Sequence, residues 1–169
     1  MIIGLLKDAA PEKRVALLPE HVKHLVGRKI QFITEREAGK QAFADDAAYE
    51  EAGARLALRT DVLRQADLLV QIAEPDEALA GAVRPGQIWL SEYKPLWNKR
   101  LVEQFRSRGI TSFSMDFIPR TTRAQSMDVL SSMATVTGYK AVLDAANHLP
   151  AFFPMFMSAA GTMRPANVL

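Results

Sequence analysis

The chain has 169 residues, of which 49% are hydrophobic and 24% are charged, a composition typical of one soluble globular domain. It contains no cysteine, which excludes disulfide scaffolds, thiolate nucleophiles and cysteine-ligated metal clusters. The net charge of +2 gives no basic stripe, so we expect no nucleic-acid binding. The sequence has no apolar run of membrane-spanning length and no signal-peptide pattern at its start, so we expect a cytoplasmic protein without direct membrane insertion.

Short apolar runs alternate with helical patterns over the first two thirds of the chain, which predicts a parallel sheet flanked by helices. The predicted strands are residues 2–6, 30–34, 54–58, 68–72, 87–90 and 110–117. The predicted helices begin at Pro19, at Asp45 or Asp46, at Thr60 and at Asn98. Residues 35–45 are expected to form a loop.

The last third of the chain is poor in charge. Residues 110–169 contain seven charged side chains, against 33 in residues 1–109. A long helix is predicted from about Asp128 to His148, and it is apolar or small on nearly every face. Residues 167–169 resemble the start of a strand. We therefore expect this region to contact another subunit or a continuing polypeptide, with folding back onto its own sheet as the alternative.

The sequence offers little for metal or nucleophilic chemistry. His21 and His24 are three residues apart, which suits metal ligands, but no third ligand is near and exposed histidines are the better interpretation. The sequence contains no Gly-x-Gly-x-x-Gly, Walker, Gly-x-Ser-x-Gly or His-Glu-x-x-His motif. We therefore expect no metal.

Residues 118–128 (IPRTTRAQSMD) concentrate groups that could bind a ligand. They follow a predicted strand and precede a helix, at the edge of an α/β sheet where ligands collect. The two arginines, the glutamine, the hydroxyls and the carboxylate suit phosphate and carboxamide groups. The alternative is a helix start capped by Ser126 or Asp128, and composition alone favours it.

Residues 119–143 (PRTTRAQSMDVLSSMATVTGYKAVL) closely resemble the alpha subunit of proton-translocating nicotinamide nucleotide transhydrogenases. Residues 7–20 resemble a signature shared by these subunits, alanine dehydrogenases and saccharopine dehydrogenases. The resemblance covers essentially the whole chain and implies an α/β fold, with a Rossmann-like or flavodoxin-like parallel sheet, flanking helices and a long C-terminal helix. It also implies an N-terminal domain at residues 1–126. Residues 127–169 would form a linker helix and a segment that leads into an NAD-binding Rossmann domain beyond this chain.

The resemblance assigns site residues. In these transhydrogenases a mobile loop presents an arginine, a glutamine and an aspartate at the hydride-transfer site, and the matching residues are Arg120, Gln125 and Asp128. These would be catalytic and NAD(H)-binding, with Ser131 and Ser132 as further cofactor contacts. Arg120 would bind the pyrophosphate or the nicotinamide carboxamide, and Asp128 and Ser131 would orient that carboxamide. Gln125 would reach the ribose of NADP(H) on a partner component.

The departures distinguish the relatives. Alanine dehydrogenases bind substrate through an arginine, a lysine before a Glu-Pro pair and a histidine after the next strand. Arg14 matches the first, but the second position is Ala73 and the third is Lys94. Loss of the lysine and the histidine removes the proton-transfer groups, which favours a transhydrogenase. Arg14 would then be structural, pairing with a carboxylate or capping a helix.

The resemblance thus implies a portion of a transhydrogenase that transfers hydride between NAD(H) and NADP(H), coupled to proton translocation in the complete complex. It implies a homodimer, peripheral to the inner membrane through NADP(H)-binding and membrane components. Without a glycine-rich nucleotide-binding turn, we expect residues 1–169 alone to bind NAD(H) weakly and to be inactive. An alanine dehydrogenase-like oxidoreductase fragment and a non-catalytic dimerisation module are the alternatives.

Overall fold

The computed structural model describes residues 1–167, and the chain divides into two compact units, Met1–Pro119 and Arg120–Leu169. The strands of the first unit are β1 (Ile2–Leu5), β2 (Gln31–Glu35), β3 (Arg55–Ala57), β4 (Leu68–Val70), β5 (Ile88–Ser91) and β6 (Thr111–Ser114). Its α-helices are α1 (Pro19–Gly27), α2 (Asp46–Glu51), α3 (Arg59–Gln65), α4 (Glu77–Ala82) and α5 (Lys99–Ser107). The strands form one parallel sheet in the order β3-β2-β1-β4-β5-β6. This is the doubly wound order, and it confirms the expected Rossmann-like fold.

Two hydrophobic clusters cover the sheet of the first unit, one on each face. Because successive side chains of a strand point to opposite faces, neighbouring residues divide between the clusters. Phe32 packs in the cluster around the buried Tyr49, whereas Ile33 packs in the cluster around Trp89 and Phe105. The rings of Trp89 and Phe105 lie 6.0 Å apart. Burial on both faces explains why the strands read as apolar runs.

Gly4 lets α3 approach the central strand of this sheet. A Cβ placed on Gly4 would lie 2.7 Å from Ala66 Cβ and 2.7 Å from Val62 Cγ1, closer than van der Waals contact allows. Gly4 and both of these neighbours are buried. A side chain at this position would push the helix away from the sheet.

Several predicted boundaries in the first unit are wrong. The six-residue helix α4 was not predicted, although Asp76 caps it by accepting a hydrogen bond from Leu79 N–H at 2.7 Å. Helix α3 begins at Arg59, so Thr60 is not its cap. Asn98 is the N-cap residue of α5, but its amide donates to Glu74 instead of closing the helix start.

The remaining corrections concern strand ends and the predicted loop at residues 35–45. That segment contains a short 3₁₀ turn at Lys40–Ala42. The last strand stops at Ser114, because residues 115–117 turn into a second 3₁₀ segment. The prediction that Asp45 or Asp46 caps α2 is confirmed for Asp45, whose Oδ1 accepts from Ala48 N–H at 2.9 Å.

The second unit contains α6 (Val129–His148), which confirms the predicted long helix, and an antiparallel pair, β7 (Phe156–Ser158) and β8 (Gly161–Met163). This hairpin was not predicted. The expected strand start at residues 167–169 falls mostly on Val168 and Leu169, outside the described residues. Although α6 is 20 residues long, none of its residues is buried. Within residues 1–167, no helix combines the length and hydropathy needed to cross a bilayer.

We expect Gly4→Ala to lower the free energy of unfolding by about 1–3 kcal/mol, because the added methyl group overpacks the contact with α3. Gly81→Ala is the matched control: Gly81 is an exposed residue of α4, and a Cβ there meets nothing within 4 Å. The control should raise stability by roughly 0.5–1 kcal/mol through helix propensity. Urea unfolding of both variants measures the difference, and equal effects would contradict the close approach.

Candidate functional site

The candidate segment at residues 118–128 is more ordered than a loop. Residues Thr122–Met127 form a 3₁₀ helix that leads directly into α6. Ala124 N–H donates to the Thr121 carbonyl at 3.0 Å, and Asp128 N–H donates to the Gln125 carbonyl at 3.3 Å. Ala124 is buried, whereas the side chains that precede and follow it are exposed. The backbone therefore presents its polar side chains outward from a defined turn.

Asp128 begins α6 as its N-cap residue and brings three predicted site residues together. Its Oδ1 accepts a hydrogen bond from Ser131 N–H at 3.1 Å, and its Oδ2 accepts one from Ser131 Oγ at 2.6 Å. Ser132 Oγ donates to the Asp128 carbonyl at 3.1 Å. The helix-cap interpretation of this segment is thus realised by Asp128 and not by Ser126.

Hydrogen bonding lowers the pKa of Asp128. The hydroxyl of Ser131 contributes most, followed by the backbone N–H of Ser131, and the positive charge of Arg120 adds a smaller effect. Because the pKa is below the ordinary value of 3.8, the carboxylate stabilises the folded state above about pH 3.8. This contribution is lost as the pH falls through the lower folded-state pKa.

Arg120 and Gln125 are both exposed. Arg120 lies near enough to Asp128 for its charge to act on the carboxylate, and Gln125 meets Asp128 through its backbone carbonyl. An exposed guanidinium supplies a planar set of donors, and an exposed amide supplies both a donor and an acceptor. A carboxylate accepts about four hydrogen bonds, so Asp128 keeps acceptor capacity beyond its two bonds to Ser131. The segment can bind a carboxamide or phosphate group while it also caps the helix.

Arg14, the residue that matches an amino-acid dehydrogenase, is engaged within its own loop. Its Nη2 lies 2.6 Å from Glu12 Oε2, and its Nε donates to Glu12 Oε1 at 2.9 Å. The side-chain hydrogen bond from Arg14 lowers the pKa of Glu12 to about 2. This pairing with a carboxylate is the structural role expected for Arg14.

Sequence reasoning missed two carboxyl groups at the carboxyl edge of the sheet, Asp8 after β1 and Glu92 after β5. Both are partly buried, and burial is the largest cause that raises their pKa values. Asp8 accepts hydrogen bonds from the backbone N–H groups of Ile72 and Ala73, which follow β4. The available signal was position alone, since an acidic residue shortly after a buried strand lies at the ligand-binding edge of such a sheet.

The two histidines of α1, His21 and His24, are exposed. In residues 1–167, no group of three or more histidine, aspartate and glutamate side chains is arranged to hold a metal ion.

Comparison with known proteins gives a consistent set of relatives. The family described as "Alanine dehydrogenase/PNT, N-terminal domain" matches residues 4–137. An NAD(P) transhydrogenase alpha subunit of Rhodospirillum rubrum is 40% identical over 176 aligned residues, covering 100% of this chain and 46% of that protein. The crystal structure of transhydrogenase from Sinorhizobium meliloti has a TM-score of 0.92 and 37% identity, covering 98% of this chain and 48% of that chain.

A solved L-alanine dehydrogenase is a more distant match. Its TM-score is 0.68 at 26% identity, and the match covers 73% of this chain and 34% of that chain. The chain spans about half the length of the transhydrogenase relatives it matches.

Ser131→Ala is expected to raise the pKa of Asp128 towards 3.8, because it removes the hydrogen bond that contributes most to the shift. Ser132→Ala is the matched control, since its hydroxyl binds the Asp128 carbonyl and not the carboxylate. An NMR titration of the Asp128 carboxyl carbon measures both. A pKa that rises equally in the two variants, or in neither, would contradict the geometry described for this helix start.

Proposed function

The chain belongs to the alanine dehydrogenase/PNT N-terminal domain family, and from this premise we propose that it is part of the NAD(H)-binding component of a transhydrogenase. The proposed reaction is hydride transfer between NAD(H) and NADP(H), coupled to proton translocation in the complete complex. The observation that carries the proposal is similarity along the whole chain to a transhydrogenase alpha subunit, with 40% identity over 100% of this chain. The match to a transhydrogenase crystal structure, with a TM-score of 0.92, supports it.

In this proposal the two regions of the chain have different tasks. Residues 1–126 form the N-terminal α/β domain, and residues 127–169 form the linker helix and the segment that joins it to an NAD-binding Rossmann domain. The compact units of the structure, Met1–Pro119 and Arg120–Leu169, place the whole candidate segment with α6. The segment and the helix would therefore move as one body.

The side chains of the candidate segment fit the nicotinamide end of a dinucleotide. A carboxamide offers one acceptor and two donors, and a pyrophosphate offers only acceptors. Arg120 donates to the pyrophosphate or to the carboxamide oxygen. Asp128 accepts from the carboxamide NH₂ with the acceptor capacity that Ser131 leaves free. Ser131 and Ser132 add hydroxyls beside it, and Gln125 is exposed for contact with the ribose of NADP(H) on a partner.

The proposed chemistry requires positioning and not proton transfer by the protein. The bound nicotinamides supply the hydride donor and acceptor, so the protein has to align them and exclude water. The segment agrees with this requirement, because its ionisable side chains are two arginines and an aspartate whose pKa is lowered. Asp128 thus stays ionised at neutral pH, and Ser131 holds it in a fixed orientation.

We propose that the partners are NADP(H)-binding and membrane components, through which the protein is cytoplasmic and peripheral to the inner membrane. We also propose a homodimer. Its support is the apolar surface of the second unit, where Val136, Tyr139 and Val142 of α6 are each more than half exposed. The stacked rings of Phe152 and Phe156, 5.5 Å apart, add to this surface. Exposed apolar area of this kind is characteristic of an interface.

An amino-acid dehydrogenase is the less favoured candidate. The expected lysine position is Ala73, whose backbone N–H is bound to Asp8. Arg14 is paired with Glu12, and Lys94 stands where a histidine is expected. The L-alanine dehydrogenase match covers 73% of this chain, against 98% for the transhydrogenase.

In the full-length protein with its NADP(H) partner, Arg120→Ala and Gln125→Asn should each reduce hydride transfer. We expect a loss of about 10- to 100-fold for Arg120→Ala, because hydrogen bonds to charged groups contribute about 1.5–3 kcal/mol. Arg123→Ala, an exposed arginine of the same segment, is the matched control and should retain activity. Stopped-flow absorbance measures the rate, and thermal unfolding measures stability.

Two outcomes would contradict this role. If Arg120→Ala retains full hydride transfer, the segment is only the start of α6, which leaves the dimerisation module as the better interpretation. If Arg120→Ala and Arg123→Ala lose stability and activity in parallel, the effect is one of folding.

The dimer is tested separately by sedimentation velocity of the 169-residue chain over a range of concentrations. Val142→Glu should shift the population towards monomer, because it places a charge on the apolar surface of α6. Lys140→Glu introduces the same residue at an already charged, exposed position of that helix and should leave the dimer intact. A wild-type chain that stays monomeric at high concentration would contradict the dimer.

A further inference from the structure

The centre of the sheet in Met1–Pro119 has the geometry of a ligand site that the proposed function does not use. In the order β3-β2-β1-β4-β5-β6, the chain leaves β1 towards β2 on one side and leaves β4 towards β5 on the other. The crevice outside the carboxyl ends of two such strands is where open α/β sheets bind ligands. In this chain the crevice lies between the residues that follow Leu5 and those that follow Val70.

A carboxylate of the chain itself occupies this crevice. Asp8 Oδ1 accepts from Ala73 N–H at 2.7 Å and from Ile72 N–H at 3.2 Å, and Asp8 Oδ2 accepts from Ile72 N–H at 3.1 Å. Two successive backbone N–H groups directed at one carboxylate form a typical anion-binding concavity. Asp8 and its two donor residues are all partly buried.

The turn that carries these donors has supports other than Asp8. The buried side chain of Gln71 donates to the Ala73 carbonyl at 2.7 Å. On the other side, Glu92 N–H donates to the Ile72 carbonyl at 2.8 Å, and Gln71 N–H donates to the Leu90 carbonyl at 3.2 Å. The N–H groups of Ile72 and Ala73 should therefore keep their direction when the Asp8 carboxylate is removed.

The surrounding charges are mixed. Glu12 and Arg14 both act on Asp8, and Arg14 also acts on Glu92. Burial raises the pKa of Asp8 most, and its two backbone hydrogen bonds act in the opposite direction. With Asp8 ionised, the position already holds one negative charge, so a second anion is disfavoured there.

We propose that the backbone N–H groups of Ile72 and Ala73 form a binding site for a small monocarboxylate, and that Asp8 keeps this site filled in the native chain. The site lies in the first unit and is independent of the proposed transhydrogenase role. Its ligand class follows from the group that occupies it: a planar carboxylate of the size of formate, or of acetate where the Asp8 methylene is also absent. In the native protein, added carboxylates find the two donors already occupied.

The test removes the internal carboxylate and supplies a free one. Asp8→Ala lacks the volume of one carboxylate, so sodium formate should bind and raise the thermal midpoint of the variant above its value in equal sodium chloride. With formate near ten times its dissociation constant, we expect a rise of about 2–6 °C. In Asp8→Gly, acetate should act in the same way, because glycine plus acetate reproduces the missing side chain. The backbone amide signals of Ile72 and Ala73 should shift saturably in NMR spectra.

Three proteins serve as controls. The wild type and Asp8→Asn keep the position filled, so formate should change their midpoints no more than chloride does. Asp45→Ala removes a different carboxylate, one that binds Ala48 N–H at an exposed helix start, and formate should not restore its stability. If Asp8→Ala is unfolded without formate, formate should restore its folding. The proposal is wrong if formate acts equally on Asp8→Ala and Asp45→Ala, or if the Ile72 and Ala73 signals do not move.

Discussion

Strand β1 lies between β2 and β4, and parallel pairing on both sides leaves it neither a free edge nor a free face. Its side chains alternate between the two hydrophobic clusters, so a shift of one residue would exchange Leu5 and Leu6 between faces. The same pairing determines where the chain emerges at the carboxyl edge. There the Lys7 N–H meets Glu35 after β2, and the Asp8 carboxylate meets the turn after β4. The arrangement of this edge therefore depends on the register of one buried strand.

The alternation of strands and helices could be predicted from the sequence, because strands buried on both faces leave continuous apolar runs such as Leu68–Val70. Helix α4 could not be found from periodicity, since six residues do not complete two turns. Only Asp76 carried a signal for it. The β7–β8 hairpin was missed for a similar reason: each strand has three residues, all exposed, so there is no alternation of burial to detect.

The candidate segment shows which features of a site can be inferred from residue types. A helix start near Asp128 and a ligand-binding role for the same residues were competing interpretations of one stretch of sequence. The structure makes them compatible, because Ser131 satisfies only part of the acceptor capacity of the carboxylate. The contacts of Asp8 were beyond sequence reasoning, since its donors lie 64 and 65 residues further along the chain and are backbone groups, which leave no mark in the sequence.

The central position of β1 also bears on the biosynthesis of this protein. The ribosome releases the N-terminus first, so β1 emerges before both of its neighbours, and β4 follows more than 60 residues later. At translation rates of roughly 5–20 residues per second, one edge of a strongly apolar strand stays unpaired for several seconds. Exposed strand edges are templates for aggregation, so the nascent chain is most vulnerable before Leu68 leaves the exit tunnel. A chaperone that binds short apolar segments would act on this protein during that interval.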